Sequence, residues 1–167
     1  MMEMKSIMEN NQNKLANKSF NMMGSEVVDG FMCKPKVFDA NKPIMHFKTQ
    51  LFICDDGRCG KAHKSEDKAA DLREVIKSLK LAKGENRIKV VRTGCFGACR
   101  FRSVANIYEN TVVNGHMQNN AIWLKNVHQY SNEKWAKLFE TLSKNEAIDE
   151  NEFQRVPMSE MTRYQND

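Results

Sequence analysis

The chain predicts an α/β fold in which one mixed four-stranded sheet carries helices packed on it. Three observations lead there. Apolar runs alternate with two amphipathic helical stripes in the order strand, helix, strand, strand, strand, helix. A strand, a helix and a second strand make a parallel pair with a right-handed crossover. The Asn114-Gly115 dipeptide between the last two strand segments signals a hairpin, which adds antiparallel strands to the same sheet.

The first strand starts at Met45, where HFKTQLFIC alternates and then turns continuously apolar into Cys54. The loop DDGRCGKAHK follows. Ser65 is the expected N-cap of the first helix, with Glu66 and Asp67 in its first turn and Ala69, Leu72, Val75, Ile76 and Leu79 as its stripe; Gly84 is the expected stop. Ile88, Val90 and Val91 form the second strand, which runs into the turn TGCFGAC. SVANIYEN and AIWLKNV read as the third and fourth strands. Ser131 caps the last helix, whose stripe is Trp135, Leu138, Phe139 and Leu142.

With 167 residues there is room for one domain plus extensions. Residues 1–44 are rich in Asn, Lys and Met, with Gly24, Gly30, Pro35 and Pro43 as breakers, and read as a partly flexible N-terminal extension. A helix over 3–17 would have only a weak stripe of Met4, Ile7, Met8 and Leu15. The domain spans 45–144, and 145–167 read as a polar C-terminal tail. Mean hydropathy is −0.64, in keeping with length outside the core.

No apolar run approaches the roughly 18 to 20 residues that span a bilayer, so no membrane insertion is expected. The N-terminus carries charge where a secretory signal has an apolar stretch, which predicts a cytoplasmic protein in a reducing compartment. Charge is uneven. Cys54 to Ser103 holds 13 Lys+Arg against 7 Asp+Glu, and the rest of the chain 13 against 14. Such a basic segment suits an acidic protein partner or an anionic cofactor as well as nucleic acid; the expected partner is a protein, and no nucleic-acid binding is expected. No phosphate loop or dinucleotide fingerprint is present.

Five cysteines in a reducing compartment point to metal or redox chemistry. Four form Cys54-x4-Cys59 and Cys95-x3-Cys99, each pair just after a predicted strand. In the parallel arrangement those strand ends lie side by side, and all four thiols reach one edge of the sheet. Dithiol exchange wants C-x-x-C, which is absent at these pairs. Zinc prefers C-x2-C knuckles but tolerates x4. A 2Fe-2S rhomb fits best, because each iron takes its own thiolate pair. Gly57, Gly60, Gly94 and Gly97 flank the cysteines, where backbone N–H groups can approach sulfur.

C-x4-C, a gap of 35 residues and then G-C-x-G-x-C closely resemble the thioredoxin-like 2Fe-2S ferredoxins and the related small 2Fe-2S subunit of NADH:quinone oxidoreductases. The likeness covers about residues 45 to 144. It implies a thioredoxin-like fold, a 2Fe-2S cluster held by Cys54, Cys59, Cys95 and Cys99, and one-electron transfer rather than enzymatic turnover. It further implies a larger metalloenzyme or reductase as partner, and a homodimer. Arg100, Phe101 and Arg102 stand where the family usually has small residues, and TVVNGHMQNN looks like an insertion.

Arg58, Lys61, Lys64, Arg92, Arg100 and Arg102 surround the ligand loops, where they would favour the reduced cluster or steer a partner with an acidic docking surface. Cys33 stands alone and reads as a plain thiol. His63 reads as a loop or surface histidine, and Trp123 as core. The alternatives to a simple carrier are a redox-responsive binding or protective protein for a metalloenzyme, and the electron-transfer subunit of an NAD-linked dehydrogenase or hydrogenase.

Overall fold

The computed structural model describes residues 46–158. The predicted N-terminal extension, including Cys33, and residues 159–167 lie outside the described residues. Strand β1 (Thr49–Cys54) is followed by helices α1 (Gly57–His63) and α2 (Lys68–Ser78), then β2 (Ile88–Thr93), β3 (Ala105–Glu109), β4 (Ile122–Leu124) and α3 (Asn132–Ser143). The strands form one sheet in the order β2-β1-β3-β4. β1 is parallel to β2, and both the β1–β3 and β3–β4 pairs are antiparallel. This is the mixed α/β sheet of a thioredoxin-like arrangement, a crossover unit followed by two antiparallel strands and a closing helix.

Alternation along the strands explains the core. Leu51 and Ile53 of β1, Ile107 of β3 and Leu124 of β4 are fully enclosed, and they meet Ala69, Leu72 and Ile76 of α2 and Trp135, Leu138, Phe139 and Leu142 of α3. Phe52, Asn106 and Trp123, which alternate with them, are half-buried, and Tyr108 is exposed. Trp123 therefore lies outside the core in which its sequence context placed it.

The DDGRCGKAHK segment, expected as a loop, holds a short helix. The Asp56 carboxylate accepts the Gly57 N–H at 2.8 Å, and the chain leaves α1 at Lys64 in the left-handed region. At α2 the cap is Asp67, not Ser65. Asp67 Oδ1 accepts the Ala70 N–H at 2.9 Å and its other oxygen meets Arg92 of β2, whereas the Ser65 hydroxyl donates to Asp71. A carboxylate at the positive end of the helix is favoured over a neutral hydroxyl that has another acceptor in reach.

The helix also ends earlier than Gly84. Lys80 takes the left-handed conformation at φ 61°, its N–H bonds the Lys77 carbonyl and the Leu81 N–H bonds the Ile76 carbonyl. That closing pair satisfies the free carbonyls and turns Leu81 toward the core. Gly84 instead makes the turn into β2, accepting the Arg87 N–H. Ser131 caps α3 as expected, its Oγ accepting the Lys134 N–H.

Asn114-Gly115 lies in a longer connection than a two-residue hairpin. A Cβ at Gly115 would stand 2.6 Å from the Asn110 nitrogen, so glycine is required there by close backbone approach. The presumed polar tail departs furthest from expectation. Ile148, Phe153 and Val156 are buried, and Lys125 and Val156 donate their N–H groups to the carbonyls of Gln154 and Trp123. Residues 145–158 thus pack along β4 as part of the folded unit. Among the described residues no helix is long and apolar enough to cross a membrane.

Candidate metal centre

The parallel pairing places the cysteines. Cys54 is the last residue of β1 and stands opposite Thr93, the last residue of β2; Cys95 follows two residues later. Cys59 projects from α1, the helix that starts the crossover, and Cys99 opens a single 3-10 turn, Cys99–Phe101. Both pairs therefore lie at the C-terminal ends of adjacent parallel strands, where open α/β sheets present their functional groups.

The two pairs differ in environment. Cys54 and Cys59 are 2% and 3% exposed, whereas Cys95 is exposed and Cys99 is half-buried. Cys95 Sγ and Cys99 Sγ are 3.4 Å apart, and the Gly97 N–H donates to Cys95 Sγ at 3.2 Å. Gly97 sits at φ +75°, the left-handed conformation that turns this N–H onto the sulfur.

Burial pushes the Cys54 thiol up to about 11, opposed by the Asp56 backbone N–H and reinforced by the Cys59 thiol and by Cys95. The Gly97 N–H, with the Cys99 thiol, lowers Cys95, while the Cys95 thiol, with burial, raises Cys99. The Gly97 N–H thus favours the thiolate form of Cys95, the form that metals require. Cys99 also senses Cys59, so the two pairs are electrostatic neighbours. The Arg58 guanidinium acts on both outer thiols.

Among the described residues no group of three or more His, Cys, Asp or Glu side chains is arranged to hold one metal ion. The thiols stand as two pairs, an all-sulfur, soft donor set. Arg58, Lys61, Lys64, Arg100 and Arg102 are exposed, and none is ion-paired with a described residue; Arg92 is held by Asp67. Of the four flanking glycines, Gly97 alone has its N–H on a cysteine sulfur.

His63 is not a surface residue. It is 8% exposed, and its Nε2 lies 3.0 Å from the Cys54 carbonyl oxygen, away from any role as a thiol substitute. Burial holds it below the ordinary imidazole range. The Ser103 hydroxyl donates to the Cys59 carbonyl at 3.2 Å, and the Ser103 N–H donates to His128 Nδ1 at 3.0 Å. Neither Ser103 nor His128 carries a spacing signal, because their partners are main-chain atoms 44 and 25 residues away.

No family model and no curated protein matches the chain. Among solved structures, the wild-type thioredoxin-like [2Fe-2S] ferredoxin from Aquifex aeolicus aligns at 13% identity with a TM-score of 0.42, covering 68% of this chain and 100% of that one. At that level of similarity, function has to be read from the cysteine site itself.

Proposed function

We propose that this chain is a one-electron carrier that holds a 2Fe-2S cluster through Cys54, Cys59, Cys95 and Cys99. The observation that supports it most is the grouping of four thiols into two pairs at one sheet edge. A binuclear centre needs one pair per iron, and the four free thiols at the ends of β1 and β2 supply two pairs. When bound, such a cluster accepts and returns one electron with little movement of its ligands.

The residues around the pairs fit that task. The Gly97 N–H and Arg58 both direct positive charge at the outer thiols, which favours the more negative, reduced state. The enclosed inner pair keeps solvent away, and the exposed outer pair marks the side on which electrons are exchanged. Arg58, Lys61, Lys64, Arg100 and Arg102, in or beside the ligand loops in sequence, are exposed and suit an acidic redox partner, whose association would slow as salt rises. In this reading the chain passes the electron on and catalysis belongs to the partner.

A potentiometric titration of the anaerobically purified protein tests this. One reversible one-electron step is expected, roughly a few hundred millivolts below zero. Replacing any one of the four cysteines by serine should abolish or strongly shift it, while Cys33→Ser leaves it in place. No redox step, or one unaffected by those four substitutions, would refute the assignment.

A further inference from the structure

The main chain of both inner cysteines is held by side chains from outside the ligand pairs. A carbonyl oxygen can only accept, so His63 Nε2 carries the proton it gives to Cys54, and Nδ1 is bare; that Nδ1 is buried with no partner. The imidazole is fixed in one tautomer by this single bond. Ser103 is itself locked. It is fully buried, its N–H rests on His128 Nδ1, its carbonyl accepts the Val127 N–H at 2.9 Å, and its hydroxyl reaches the Cys59 carbonyl.

The outer pair has no such support. Among the described residues no side chain bonds the main chain of Cys95 or Cys99; their contacts are the Gly97 N–H on Cys95 Sγ, the Sγ–Sγ approach of the two thiols and the Arg102 N–H on the Cys99 carbonyl, with the Phe96 ring between them resting on Trp123. One pair is therefore clasped from behind and the other sits in an exposed loop.

We propose that His63 and Ser103, the latter locked by His128, are positioning residues that hold Cys54 and Cys59 as a rigid inner pair before metal arrives, leaving Cys95 and Cys99 as the pair that adapts. The conformational part stands on geometry alone, and the redox part rests on the iron–sulfur reading above. Both donors also direct positive hydrogens at ligand peptides, so losing either one shifts the potential of a bound cluster downward.

The test uses the full-length chain, metal-free and cluster-loaded, as wild type and as Ser103→Ala, Ser103→Thr, His63→Phe and His63→Gln. Alkylation of each cysteine by N-ethylmaleimide is followed by peptide mass mapping in the metal-free protein. Wild type should react fast at Cys95 and Cys99 and slowly at Cys54 and Cys59. Ser103→Ala and His63→Phe should speed the inner pair about fivefold to tenfold, what one lost buried hydrogen bond does to a local opening equilibrium. They should leave the outer pair unchanged and lower the potential of the loaded protein.

Ser103→Thr and His63→Gln, which keep a donor, should restore both readouts. Should His63→Phe fail to fold, the serine variants carry the test. Equal reactivity of all four thiols in wild type, or inner-pair rates and potentials that the substitutions do not move, would overturn the proposal. A protein that shows the alkylation pattern but takes up no iron and sulfide would sink the carrier reading and leave the clasp standing.

Discussion

The Phe96 ring meets the Trp123 ring edge to face, with centroids 4.9 Å apart and planes at 77°. Phe96 lies between Cys95 and Cys99 in the loop after β2, one edge of the sheet, and Trp123 lies on β4, the other edge. The contact thus ties the exposed ligand loop to the far side of the fold. A double-mutant cycle of Phe96→Ala and Trp123→Ala should show a coupling of about 0.5 to 1.5 kcal/mol in urea unfolding. Additive effects would mean that the rings only share a surface.

Lys48 and Glu109, 0% and 1% exposed, form a buried charged group at the other end of β1. Lys48 Nζ donates to the Leu142 carbonyl at the end of α3, and Thr49 Oγ1 donates to Glu109 Oε2 at 3.1 Å. Burial lowers Lys48 and raises Glu109, each opposed by the charge of the other. Lys48→Met should cost about 1 to 3 kcal/mol, because the buried Leu142 carbonyl loses its donor and Glu109 loses a nearby positive charge, and adding Glu109→Gln should recover part of it. Because the folded carboxyl is raised, its stabilisation is complete below the ordinary glutamate range and is lost as pH rises through the folded value. Urea midpoints of Lys48→Met across pH would show that fall.

His128 gives a slope of the opposite sign. Burial, with Arg102 and Lys64 nearby, lowers it from 6.5, and its bare Nδ1 accepts the Ser103 N–H. Its contribution is full above pH 6.5 and is lost as pH falls from there toward the folded value, because the unfolded chain gains the proton first. His63, also lowered, acts in the same direction. His128→Asn, whose amide oxygen can take the place of Nδ1, should flatten part of this slope in urea titrations. An unchanged slope would assign it elsewhere.

Phe153 is 1% exposed and packs on Tyr130, with ring centroids 5.8 Å apart. Phe153→Ala should cost about 3 to 5 kcal/mol, measured by urea unfolding, although the segment around it looks like a tail. A change under 1 kcal/mol, near the ±0.5 kcal/mol typical of surface substitutions, would mean that residues 145–158 are not part of the core.

That segment shows what the sequence made legible. The strands, the Ser131 cap and the pairing of cysteines with strand ends all follow from periodicity and topology. Ile148, Phe153 and Val156 lack any regular spacing, because they fill gaps along a three-residue edge strand and lie on no repeating face. Helix α1 was hidden by two glycines in seven residues, and its Asp56 cap offsets their poor propensity. The choice of Asp67 over Ser65 depended on Arg92, 25 residues away. His63 and Ser103 act on backbone carbonyls, and such contacts leave no pattern in side-chain spacing.

The most direct test of the carrier assignment is the composition and spectrum of protein purified without oxygen, with iron, sulfide and zinc assayed on the sample whose absorption and electron paramagnetic resonance are recorded before and after dithionite. The assignment predicts about two irons and two sulfides per chain, with thiolate-to-iron bands that bleach and a spin-one-half signal that appears on reduction. A colourless protein that holds zinc at the same four cysteines would contradict it.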